Sequence, residues 1–145
     1  LSAMARGVDT RTQLAAALAE NDMSSRASLE NMFDAIPDIL ERLSEQLAKY
    51  SNYGVCLDYA HASLSKVVPS EWARRLGQYV KHIHINDNDG ISDLHLAWGS
   101  GVIDREQFYE DYENYMKGAS VLVEVSDFEK AESSIKVLKE EGFWE

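Results

Sequence analysis

Side chains able to bind a cation or move a proton crowd the middle of this 145-residue sequence. All four histidines, His61, His82, His84 and His95, lie between residues 61 and 95; Asp58 precedes His61 by three residues and Asp93 precedes His95 by two. Imidazole nitrogens and carboxylate oxygens at such spacings suit divalent-metal ligation or general acid–base catalysis. Two further acids, Glu30 and Glu124, stand apart from this stretch, each at the end of a segment that reads as a strand. Cys56 is the single cysteine, so neither an internal disulfide nor a multi-thiolate zinc site is available, and a reducing compartment is the expectation.

Which of these groups can meet depends on the elements that carry them. Helical spacing of Leu14, Ala17 and Leu18 predicts a helix over Thr10 to Asn21, and Ala27 to Asn31 reads as a short strand. Ile36, Ile39, Leu40, Leu43 and Leu47 form a helical stripe before the buried-strand candidate Gly54 to Asp58. Ser70 is expected to cap a helix carrying Trp72, Ala73 and Leu76, ahead of a strand from Tyr79 to Asn86. Asp104 with Gln107 opens a helix bearing Phe108, Tyr112 and Tyr115. Ser120 to Val125 is the clearest strand, and Ser126 with Glu129 reads as a capping box for a last helix with Phe128, Ala131, Ile135 and Leu138. The order αβαβαβαβα implies right-handed βαβ units and a parallel sheet covered by helices. Residues 1–145 carry two prolines and no Gly/Ser/Pro-rich linker, so one domain is expected.

Alternation along the strands sorts the polar groups. Val55, Leu57, Ile83, Ile85, Val121, Val123 and Val125 take one face; Cys56, Asp58, His82, His84, Asn86, Leu122 and Glu124 take the other, and Glu30 goes with Ser28 opposite Leu29. Each strand therefore places one ionisable group, Glu30, Asp58, His84 or Glu124, near its C-terminal end, where parallel α/β folds build their sites. Three carboxylates and an imidazole converging in a partly buried space repel one another unless a cation or protons intervene. A divalent metal, Mn²⁺, Zn²⁺, Mg²⁺ or Co²⁺, answers that need. His61, Asp93 and His95 form a second set, open to two readings: substrate binding or a second metal. His82, one step deeper than His84, reads as a packed structural residue. The loop Gly99-Ser-Gly101 is either a site of close backbone approach to substrate or a plain turn.

Charge narrows the partners. With 25 acidic against 14 basic residues the formal net charge is −11, which opposes the clustered Lys/Arg that phosphate binding uses, so nucleic acid is disfavoured. No run approaches the ~18–20 apolar residues of a membrane span, and no export signal is read near the start. A cytoplasmic protein is the expectation.

The ordered series Leu29-Glu-Asn31, Cys56-Leu-Asp-Tyr-Ala-His61, His82-Ile-His-Ile-Asn-Asp87, Asp89-Gly90, Asp93-Leu-His95, Gly99-Ser-Gly-Val-Ile-Asp104 and Leu122-Val-Glu-Val125 resembles the xylose isomerase-like TIM barrels over roughly residues 26 to 142. That superfamily joins sugar isomerases and epimerases with the endonuclease IV group of abasic-site nucleases. The resemblance implies one metal bound by Glu30, Asp58, His84 and Glu124, with Glu30 and Glu124 also transferring a proton through a metal-stabilised enediolate of a sugar or sugar phosphate. In the nuclease branch His61, Asp93 and His95 match further metal ligands, and the reaction would be phosphodiester hydrolysis. Four βα units make half of an eight-stranded barrel, which typically takes about 250 residues. A half-barrel exposes strand edges and one sheet face, so self-association as a homodimer completing the barrel is expected, and a non-catalytic half-barrel is the third reading.

Overall fold

The computed structural model of the chain describes residues 2–4, 27–32 and 34–145. Five strands, β1 (Ser2–Met4), β2 (Ala27–Glu30), β3 (Tyr53–Asp58), β4 (Val80–Ile85) and β5 (Ser120–Val123), form one parallel sheet in the order β1-β2-β3-β4-β5. The four anticipated strands are present, and β1 is an addition, three residues long in a segment with little periodicity of its own. The helix anticipated over Thr10 to Asn21 lies outside the described residues.

Helices follow the strands: α1 (Asp38–Leu47), α2 (Tyr59–Ser63), α3 (Pro69–Leu76), α4 (Arg105–Asp111) and α5 (Phe128–Glu140). Leu40, Leu43 and Leu47 of α1 are buried, whereas Ile36 and Ile39 are exposed, so the apolar stripe is narrower than its sequence suggests. The short α2 hides within the buried run after β3 and was not anticipated. α3 is opened by Pro69 in the first helical turn after Val68, not capped by Ser70, because proline's preset φ and missing N–H suit that position. Ser70 instead donates its hydroxyl to Asp111 at 2.8 Å. Asp104 does cap α4, accepting from Gln107 N at 3.0 Å, but the helix relaxes into a π-helical turn at Tyr112–Met116, leaving Tyr115 exposed. Asp127 rather than Ser126 caps α5, its carboxylate reaching Lys130 N at 2.9 Å, and Phe128 and Ile135 lie exposed while Leu138 is buried.

The core lies between the sheet and these helices. Val55, Leu57, Ile83 and Ile85 are fully buried against Trp72, Leu76, Trp98 and Phe108. Each large aliphatic side chain removed from water there contributes about 1.5–3 kcal/mol. The opposite face of β4 and β5 is only partly covered: His82 and His84 are half-buried, and Leu122 is 47% exposed.

Between β4 and α4 the chain runs through a long loop pinned by one buried carboxylate. Asp87 Oδ1 accepts from Asn88 N at 3.0 Å and Ile103 N at 3.1 Å, and Oδ2 accepts from Gly99 N at 3.0 Å. A Cβ on Gly101 would stand 2.1 Å from Asn88 O and 2.4 Å from Asp87 Oδ1, so the close approach this glycine permits is to the loop's own anchor. Gly118 differs: φ is +93° and nothing lies within 4 Å of its Cβ position. Gly101→Ala is therefore expected to cost about 3 kcal/mol or more in urea denaturation through overpacking. Gly118→Ala, carrying only left-handed backbone strain, should cost about 1–2 kcal/mol.

Candidate metal centre

Four strand ends bring the expected set together. Glu30 ends β2, Asp58 ends β3, His84 is the penultimate residue of β4, and Glu124 follows β5 directly. The register is staggered: Glu30 is level with Cys56, Asp58 with His84, and His84 with Leu122. Asp58 and His84 thus face each other at the centre, while the outer positions carry glutamate, whose extra methylene covers the offset. One ligand atom from each of Glu30, Asp58, His84 and Glu124 lies within 4.8 Å of all the others.

Local structure aims each group. Asp58 caps α2, its Oδ1 accepting from His61 N at 2.8 Å. The Asn31 side chain clamps the same residue by its backbone, donating from Nδ2 to Asp58 O at 2.9 Å and accepting at Oδ1 from Asp58 N at 2.7 Å. Asp58 Oδ2 is left buried and without a hydrogen-bond partner. His84 Nδ1 lies 3.0 Å from Glu124 Oε2 and 3.5 Å from Glu30 Oε1, yet it too lacks an aligned hydrogen bond.

The crowding shows in the titration of these groups. Burial pushes the Asp58 carboxyl up to about 6, with His61 pulling the other way. Contact with Cys56, then with Glu30, pushes His84 up to about 11 against the effect of burial, and the same His84 ring holds Glu30 below its ordinary value. A protonated His84 is what balances the carboxylates when no other cation is present.

The donor set fits a divalent ion. Ligands on opposite sides of an ion with bonds of about 2.0–2.2 Å stand ~4.0–4.4 Å apart, close to the 4.8 Å within which these four donors already lie. The unpartnered Asp58 Oδ2 and His84 Nδ1 are the atoms such an ion would satisfy. Cys56, His82 and His84 also bring one donor each within 4.8 Å of one another. His82 is half-buried, paired through Nδ1 with Ser120 Oγ at 2.7 Å and edge-on to His84.

The second set gathers on one oxygen. Asp93 Oδ2 lies 3.2 Å from His61 Nε2 and 3.3 Å from His95 Nε2. Both rings have the other nitrogen engaged: His61 Nδ1 donates to Asn31 O at 2.9 Å and His95 Nδ1 to Glu124 O at 3.0 Å. With Nδ1 protonated on each ring, two neutral imidazoles would present lone pairs to a carboxylate, so protons or a cation must stand between them. A ring whose outer N–H is held by a carbonyl is the usual setting of a metal-ligating histidine. His61 is burdened by burial, but Asp58, the Asn31 carbonyl and Asp93 together hold its pKa above the ordinary value. His95 reaches its place with φ at +47°, a left-handed backbone that costs a non-glycine residue ~1 kcal/mol or more.

Three residues of the site, Asn31, Asn86 and Asp87, stand in the motifs quoted above, but the sequence assigns them no role. Asn31 follows Glu30 directly, and its buried amide is spent on the backbone of Asp58. Asn31→Ala would leave the buried Asp58 N–H and C=O unpaired and is expected to lower stability by about 2–4 kcal/mol in denaturant titration; a change below ~0.5 kcal/mol would show that the clamp is dispensable.

Among known proteins, an uncharacterized protein of Methanocaldococcus jannaschii is 28% identical over 127 residues, covering 82% of this chain and 43% of that protein. A D-tagatose 3-epimerase-like protein superposes with a TM-score of 0.80 at 24% identity, over 91% of this chain and 52% of its own. A protein from Thermus thermophilus, whose structure was solved after soaking with ZnCl2, gives 0.71 at 26% identity, over 93% and 52%. The chain thus spans about half the length of each of these proteins, and its described residues form five parallel strands with helices between them, a little over half of an eight-stranded barrel. The family described as xylose isomerase-like TIM barrel matches residues 3–141, and to that family the chain belongs.

Proposed function

We propose that this half-barrel carries the metal centre of a sugar isomerase or epimerase, with Glu30, Asp58, His84 and Glu124 holding one divalent cation. The observation that carries the reading is the meeting of these four side chains, with a buried carboxylate oxygen of Asp58 left unpartnered among them. When bound, the cation would polarise substrate oxygens and offset the negative charge that builds up as a carbon-bound proton leaves. Glu30 and Glu124 enter from strands separated by two others, so one can take the proton and the other return it. Without a metal His84 holds the Glu30 carboxyl below its ordinary value, and a bound cation would hold it there in its place. His61, whose Nδ1 is spent on Asn31 O, would hold a substrate oxygen through Nε2 in exchange for Asp93. The likeness to an epimerase-like protein favours a sugar as the small molecule.

Beyond the metal, the inner sheet face needs cover. Leu122 is about half exposed there, and among the described residues β1 and β5 are each paired on one side only. A second copy of this chain is the partner we place on it, completing a barrel. Among the described residues no helix is long and apolar enough to cross a membrane, and a cytoplasmic setting suits the unpaired Cys56.

One observation favours a second reading. The convergence of His61 and His95 on Asp93 Oδ2 suits a second cation, and two cations would turn the site toward phosphodiester hydrolysis. The net charge of −11 weighs against a nucleic-acid substrate.

Calorimetric titration with Mn²⁺ separates these readings. One ion per chain is expected, with Glu124→Gln and His84→Ala each weakening it at least ~10-fold, since even outer groups around a metal are worth 10–100-fold. Ketose interconversion followed by NMR would support the isomerase reading; two ions per chain with cleavage of abasic DNA and no sugar turnover would replace it. No Mn²⁺ binding would remove both. Sedimentation equilibrium should give twice the chain mass, and a monomer at every concentration would refute the paired barrel.

A further inference from the structure

Among the described residues, the buried side-chain atoms without a hydrogen-bond partner are Asp58 Oδ2, His84 Nδ1, Asp93 Oδ1 and both polar atoms of Asn86. The first three belong to groups that cations would satisfy. Asn86 does not: it is fully buried, neutral, and leaves an acceptor and two N–H donors unmet. Buried amides are almost always paired with protein or ordered water, so one whose both ends are unspent by the protein is open to a water or a ligand.

The strand ladder places this amide. His84 is level with Leu122 and Ile85 with Val123, the latter pair closed by Glu124 N donating to Ile85 O at 2.9 Å. Carried one residue past the ladder, the same register sets Asn86 level with Glu124, and the alternation sets it on the face of His84, about 6.6 Å further along the strand. Asp87 keeps to the alternation, since its carboxylate turns to the loop amides of Gly99 and Ile103. The two adjacent residues differ in what is left over: the Asp87 carboxylate has three backbone N–H groups, and the Asn86 amide has nothing.

We propose that the Asn86 carboxamide is a substrate-binding group beside Glu124, pairing with two neighbouring oxygens of a polyhydroxylated ligand. Oδ1 accepts from one hydroxyl while Nδ2 donates to the adjacent hydroxyl or carbonyl oxygen. A phosphodiester group, which only accepts, would leave Oδ1 orphaned, so the amide selects a sugar's diol or hydroxy-carbonyl edge over it. The assignment rests on the isomerase or epimerase reading and adds to it the group that recognises the ligand's hydroxyls.

The test is Asn86→Leu, close in shape and without polar atoms. If the amide is unpaired in the free protein, the melting temperature stays equal or rises; a fall of more than ~5 °C would reveal an internal partner and overturn the proposal. Binding of D-tagatose and D-fructose to the Mn²⁺-loaded protein is then measured by calorimetry for the wild type and the variant. The expected result is at least ~10-fold weaker sugar binding with Mn²⁺ affinity unchanged, because a site built to pair a hydroxyl discriminates strongly on it. Equal sugar affinity in the two proteins would overturn the role of Asn86 and leave the metal-sugar reading standing. Absence of sugar binding in the wild type would overturn both.

Discussion

Like charges brought together by strand geometry are the constraint on which the rest of this structure turns. Three carboxylates end up around His84 because each ends its strand on the same side of the pleat. The alternation that sends Val55, Leu57, Ile83 and Ile85 into the core sends Asp58 and His84 the other way. The fold cannot bury its aliphatic face without also aiming these groups at one another. That repulsion is tolerable only with a positive charge at the centre, which His84 supplies as a proton carrier and a divalent ion would supply better.

The surroundings keep the cluster from relaxing. A free aspartate could rotate its carboxylate toward water, but Asp58 is a helix cap on one oxygen and is clamped through its backbone by Asn31. Its second oxygen has nowhere else to go. His61 and His95 are held by carbonyls of Asn31 and Glu124, residues that flank or contribute to the cluster, so the second set of ligands is referenced to the first. The strained backbone at His95 is what brings its ring between Asp93 and Glu124. These are the traits of a site whose donors are oriented before a ligand arrives.

Much of this was legible in the sequence, and for a physical reason. Period-two alternation is unambiguous in Val55-Cys-Leu-Asp58 and Ile83-His-Ile85, so the shared face of Asp58, His84 and Glu124 follows from spacing alone. Capping was less so: Asp104 was found because no competitor stands beside it, whereas Ser126 and Asp127 are both good caps and only tertiary geometry decides between them. β1 spans three residues and is defined by its neighbour in the sheet. Ile36, Ile39 and Phe128 are apolar at helical spacing yet exposed. Periodicity predicts the possibility of a buried face, not its width.

The residues hardest to see were those of ordinary chemistry in unusual surroundings. Asn31, Asn86 and Asp87 carry no signature apart from their neighbours. Asn86 and Asp87 are adjacent and nearly isosteric, and both are fully buried. One is saturated by three backbone amides and so serves the loop; the other keeps both ends of its amide unspent. The difference lies in where the chain returns beyond the loop, when Gly101 lets the backbone close against Asp87. A structural anchor and the group proposed to meet the ligand thus stand one pleat apart, and the hydrogen bonds each has left unmade tell them apart.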